Sequence, residues 1–121
     1  MRDIITLFRG NDFLMRNGGL MMKIKVYIKQ PGRPPYSTHI ENSLKNLQNT
    51  VGGYIETVTL GDDWTIICNE EGRIKGLPYN CTVCGVSFVG TIVFAGVKGD
   101  EFEDIPISFK DFKSCFRKLW E

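Results

Sequence analysis

The stretch Leu44 to Leu60, LKNLQNTVGGYIETVTL, limits the possible folds more than any other part of the chain. Leu44, Leu47 and Val51 recur at helical spacing. Gly52 and Gly53 follow at once, and glycine enters the left-handed conformation that ends a helix without a steric penalty. Tyr54 to Leu60 then alternates in the manner of a strand. The unit predicts a helix from about Ser43 to Thr50, N-capped by Asn42, a glycine stop and a strand. Strict alternation sets Glu56 on one face with Tyr54, Val58 and Leu60. Two readings follow: a bulge at the glycines or exposure at a rim, or a carboxylate that contacts a ligand.

The flanking segments add strands. Lys23 to Lys29 alternates, with Ile24, Val26 and Ile28 facing one way and Lys23, Lys25, Tyr27 and Lys29 facing the other. The lysine face reads as solvated or as protection of a sheet edge. Gln30 to Thr38 contains Pro31, Pro34 and Pro35 and reads as an extended loop. Trp64 to Asn69 predicts a strand with Trp64, Ile66 and Cys68 on one face. Glu70-Glu71-Gly72 predicts a turn and Arg73 to Lys75 a short returning strand. Val86 to Val97 is apolar on both faces and reads as one central strand, with Gly90 and Gly96 marking a bulge or a close approach. Ser108 and Asp111 resemble a capping box that opens a final helix bearing Phe109, Phe112, Phe116 and Leu119 on one stripe. These elements predict an α+β fold: a mostly antiparallel sheet of four to five strands with two helices packed on it, in a single small domain over residues 23–121.

Residues 1–22 stand apart as an N-terminal extension. Asn17-Gly18-Gly19 precedes Met21 and Met22, and two glycine codons can spell a purine-rich ribosome-binding site just before a start codon. The segment is then a translated leader. The alternative is an N-terminal helix carrying Ile4, Ile5, Leu7, Phe8, Phe13 and Leu14.

Composition narrows the function classes. The net charge of +1 supplies no broad basic field, so nucleic acid is not the expected partner. No apolar run approaches the roughly 20 residues of a membrane span, and Ile4 to Phe8 is too short for a signal sequence. A cytoplasmic protein is expected. Its four cysteines are then thiols or metal ligands, not disulfides. His39 is the only histidine and reads as a surface residue.

Little in the sequence carries catalytic chemistry. The phosphate-binding motif G-x-x-x-x-G-K-S/T, the nucleophile elbow G-x-S-x-G and the zinc motif H-E-x-x-H are all missing. Cys81 and Cys84 have the spacing of a zinc or redox pair, but a structural zinc site wants four ligands. Cys68 and Cys115 complete it only if the fold gathers all four, and core packing explains both equally well. No metal or cofactor is expected. Asn69, Glu70, Glu71, Tyr79 and Asn80, together with Glu56, form a candidate polar ligand site. Turn chemistry accounts for the loop residues of that set without any ligand.

Several blocks of residues carry a family resemblance. They are Tyr27-Ile28-x-x-Pro31-Gly32, Leu44-x-x-Leu47-Gln48-x-x-Val51-Gly52-Gly53-Tyr54-Ile55-Glu56, Cys68-Asn69-Glu70-Glu71-Gly72, Gly76-Leu77-Pro78-x-Asn80 and Gly90-Thr91-x-x-x-x-Gly96. In this order they resemble the DUF3846 family, a domain of unknown function in small proteins of Gram-positive bacteria, their phages and mobile elements. The resemblance covers about residues 23–98. Members often continue after the Asn with a polar or basic stretch, where this chain has Cys81-Thr82-Val83-Cys84. The resemblance implies a mobile-element setting and no activity.

Two functions are compatible with these observations. One is a non-enzymatic interaction protein of phage or mobile-element origin that inhibits a host protein, including a defence protein. The other is a protein that binds or sequesters a small, nucleotide-like ligand. A host protein, a small polar ligand and a second copy of the chain are the expected partners.

Overall fold

The computed structural model describes residues 22–121. Both readings of the N-terminal extension lie outside the described residues, apart from Met22. The chain runs β1 (Lys23–Lys29), β2 (Tyr36–Glu41), α1 (Leu44–Val51), β3 (Ile55–Thr59), β4 (Trp64–Asn69), β5 (Tyr79–Val83), β6 (Val86–Val89), β7 (Ile92–Lys98), β8 (Glu101–Glu103) and α2 (Phe109–Cys115). A 3-10 turn, Arg117–Trp120, follows α2. The main sheet has six strands, all antiparallel, in the order β2-β1-β7-β4-β3 with β8 also paired to β7. Strands β5 and β6 form a separate hairpin. The α+β architecture with two helices is the one the sequence predicts.

The organising unit forms as expected, one residue later. Ser43, not Asn42, caps α1, its hydroxyl accepting from the Asn46 amide. Asn42 instead donates from Nδ2 to the Phe102 carbonyl and ties the helix entry to β8. Gly52 ends α1 at φ 84°, and its amide donates to the Gln48 carbonyl at 2.8 Å. The strand after it is shorter than the alternation implied. The β3–β4 register is unbroken from Ile55↔Asn69 to Thr59↔Thr65, so no bulge resets it. Glu56 is half-buried on this edge strand.

The central strands separate two cores. On one face Ile24, Val26, Ile28, Ile67, Val93 and Ala95 pack against Leu47 and Val51 of α1. On the other, Tyr27, Ile66, Ile92 and Phe94 meet Phe112, Leu119 and the β5–β6 hairpin. Phe112 is fully buried, with ring centroids 4.8 Å from Tyr27 and 4.9 Å from Phe94. The Phe109–Leu119 stripe is therefore a core face. The second core also corrects the reading of β1. Its lysine face is not at an edge, because β1 lies between β2 and β7, and it is solvated only at its start, where Lys23 is exposed and Lys25 half-buried. Tyr27 is 0% exposed and Lys29 only 5%.

Three further expectations are corrected. The Gln30–Thr38 loop ends at Pro35, and Tyr36–Glu41 forms an edge strand in register with β1 from Lys23↔Glu41 to Ile28↔Tyr36. Arg73–Lys75 is not a strand. The Lys75 amide donates to the Glu71 carbonyl and that of Leu77 to Gly72, which winds the segment into helical turns. Val86–Val97 is two strands in two sheets, broken at Gly90 with φ 71°. At Gly96 a side chain would strike the Asp104 carbonyl, so here the close approach is real. Strand β8 was not legible, being only three residues long.

Candidate functional site

The six residues picked out in the sequence do not converge. Asn69 is buried at a junction: its Nδ2 donates to the Val51 carbonyl, and its Oδ1 accepts from the Glu71 amide at 2.8 Å. It thus serves the open C-terminus of α1 and starts the following turn. Glu71 pairs with Lys75 at 3.6 Å on the surface. Glu56, Asn69 and Glu70 line one cavity of about 360 Å³ against Arg73 and the β6 strand. Tyr79 and Asn80 line a different one of about 440 Å³.

The Tyr79–Asn80 cleft has three walls from distant parts of the chain. One is the loop after β1, with Gly32, Arg33 and Pro34; another is β5; the third is the 3-10 turn, with Lys118 and Trp120. Asn80 fixes the second wall to the sheet. Its Nδ2 donates to the Lys29 carbonyl at 2.8 Å and the Gly90 carbonyl at 2.7 Å, while its Oδ1 is buried without a partner. Asn80 is therefore a joint between hairpin and sheet. Tyr79, 61% exposed, stands at the rim with its hydroxyl 2.7 Å from the Thr82 hydroxyl.

Lys29 lies among the same lining residues and was missed as a site residue. Its ammonium donates to the carbonyls of Arg33 at 2.8 Å and Gln30 at 3.2 Å. Among the described residues no carboxylate pairs with it, nor with Arg33 or Lys118. A lysine in an alternating strand reads as a surface residue. Only the folding of the 30–34 loop over its head buries it, and no local pattern announces that.

The cysteines do not gather. Cys81 points into the second core and Cys84 is exposed at the hairpin turn; Cys68 is buried and Cys115 exposed. Among the described residues no group of three or more His, Cys, Asp or Glu could hold a metal ion. Burial, and secondarily the Glu56 carboxylate, push the Cys68 thiol up to about 11, against the opposing pull of Arg73. Burial also raises Cys81, partly offset by Lys29. Both are neutral thiols near pH 7, suited to packing more than to nucleophilic or metal chemistry.

Residues 22–117 match the family described as Domain of unknown function (DUF3846). The chain belongs to the DUF3846 family. No curated protein and no solved structure matches it. The DUF3846 match extends past the Gly90–Gly96 block to take in β8 and α2. It thus includes both helices, the whole first core and all of the second except Leu119 and Trp120. Of the cleft walls, the loop after β1 and β5 lie inside the DUF3846 match; Lys118 and Trp120 lie just beyond it.

Proposed function

We propose that this chain is a non-enzymatic binding protein that captures a small polar ligand in the Tyr79–Asn80 cleft. The observation that carries the reading is the cleft itself. Three segments far apart in sequence enclose about 440 Å³, within the roughly 300–1,000 Å³ of small-molecule sites. Aromatic groups stand beside polar ones there, the usual composition of a site that orients a ligand. A thermal-shift screen of nucleotides, cyclic dinucleotides, nucleosides and sugars tests it. At least one compound raises the melting temperature, and Thr82→Trp, which fills the cleft from an exposed position on β5, removes the shift. A screen with no shift, or a shift indifferent to Thr82→Trp, refutes the cleft as the site.

A second reading rests on another surface. Tyr54 is 65% and Ile74 87% exposed, and the turn bearing Ile74 starts where the Glu70 amide donates to the Tyr54 carbonyl. Two large apolar groups on adjoining turns suit docking to a protein. In the mobile-element setting that the family resemblance implied, that partner is a host protein, a defence protein among them. Tyr54→Glu with Ile74→Glu then abolishes inhibition of the host protein while the melting temperature holds. Retained inhibition by that variant eliminates this surface.

A further inference from the structure

Charge decides which small ligand the cleft accepts. Lys29, Arg33 and Lys118 line it, and among the described lining residues the one acidic side chain is that of Glu121. Among the described residues none of the three cations is within ion-pair distance of a carboxylate. The side chains therefore make the cavity positive on balance.

Lys29 is the informative member of the three. Burying an ammonium costs several kcal/mol unless it is paired and hydrogen-bonded. Here it is 5% exposed and meets two backbone carbonyls. An ammonium has three N–H donors, so among the described residues one donor has no acceptor and no carboxylate offsets the charge. Arg33 reinforces the arrangement, because its own carbonyl holds the Lys29 head and the residue itself lines the same cleft. A phosphate monoester, with about −1.5 to −2 charge at pH 7 and three acceptor oxygens, suits a positive cleft with an unused N–H donor better than a monocarboxylate does.

The remaining lining favours a ring. Trp120 is half-buried, its centroid 5.7 Å from Phe109 and 5.9 Å from Phe112, so the core fixes its orientation. With Tyr79 at the rim, the cleft offers two aromatic surfaces beside its cations. We infer that the cleft binds the phosphate monoester of a ring compound, in the size class of a mononucleotide. Lys29, Arg33 and Lys118 contact the phosphate, and Trp120 and Tyr79 flank the ring. The inference rests on the reading of the cleft as a ligand site and adds its chemical class.

The experiment uses the full chain. Melting temperature and titration calorimetry are followed with the four common ribonucleoside 5′-monophosphates, the matching nucleosides and inorganic phosphate. The monophosphates stabilise the protein, while nucleosides and phosphate alone do so far less. Binding weakens as salt is raised. Arg33 and Lys118 are exposed, so Arg33→Ala with Lys118→Ala leaves the unliganded melting temperature unchanged and weakens binding by roughly tenfold or more. Lys29→Met is made in parallel, but it also frees the loop carbonyls, so the exposed pair decides. Nucleosides binding as tightly as monophosphates, with no effect of the double substitution, overturn the inference and leave the cleft reading intact. Silence from every monophosphate overturns it too, as does inorganic phosphate matching them. Binding only of 5′-phosphorylated oligonucleotides overturns it in favour of a nucleic-acid end. A full small-molecule screen without any Thr82→Trp-sensitive shift removes both.

Discussion

At Gly52 the backbone reaches φ 84°, yet a Cβ placed there would meet only the Asn69 side chain, at 4.0 Å. The glycine is needed for its conformation and not for space. Gly52→Val is expected to destabilise by about 1–3 kcal/mol, and Gly52→Asn by clearly less, since Asn tolerates the left-handed region. Urea midpoints check the order; equal losses would point to a steric cause. Gly53 differs, because a Cβ there would stand 2.9 Å from the Asn69 Nδ2 that serves Val51. Asn69 and Asn80 show what residue-scale reading can and cannot do. Both were recognisable as important polar residues. The same side chain serves a ligand or a buried carbonyl equally well, and the sequence carries no sign of which one stands opposite.

The β5–β6 hairpin turns on Cys84 and Gly85, with φ 50° and 81° between paired Val83 and Val86. Two left-handed residues define the hairpin turn that favours Asn-Gly. Cys84 is thus a poor occupant, and Cys84→Asn is expected to stabilise by about 0.5–1 kcal/mol. A rise in thermal midpoint without a change in the urea m-value is the measurement; a fall would assign the thiol a structural contact. Legibility at this scale followed pattern strength. β1 and β4 have the predicted bounds, and α1 is displaced by one residue, because long periodic runs fixed them. β2 was hidden by the prolines before it and by side chains that stay exposed or half-exposed along an edge. β6 and β7 merged into one because both are apolar. Gly90 was visible, but a glycine between two apolar halves does not say whether it bulges a strand or ends it.

For the whole molecule, three buried acids act in one direction. The Cys68 thiol titrates near 11 in the fold against an ordinary 9.0, and burial also raises Cys81 and Tyr27. Between pH 9 and 11 the native state holds protons that the unfolded chain has released, so stability falls as pH rises. Urea midpoints are expected to drop above pH 9, with a shallower drop in Cys68→Val. Identical slopes in the two proteins would rule out the Cys68 contribution. A chain starting at Met21 keeps the Met22 carbonyl that accepts from the Asn42 amide. It is expected to melt within a few degrees of the full chain; aggregation or a much lower melting point would make residues 1–20 structural.

The two-sided sheet has a practical consequence for anyone who follows its unfolding by light. Both tryptophans, Trp64 and Trp120, pack on the α2 side of the sheet. The α1 side holds aliphatic groups and Phe102. Intrinsic fluorescence excited at the indole band therefore reports one core and is blind to the other. Were the α1 layer to loosen first, the emission would stay native while amide exchange in Leu44–Val51 accelerated. A single fluorescence transition is then no proof of all-or-none unfolding; coincidence with far-ultraviolet circular dichroism, or an indole introduced beside Leu47, is needed to supply it.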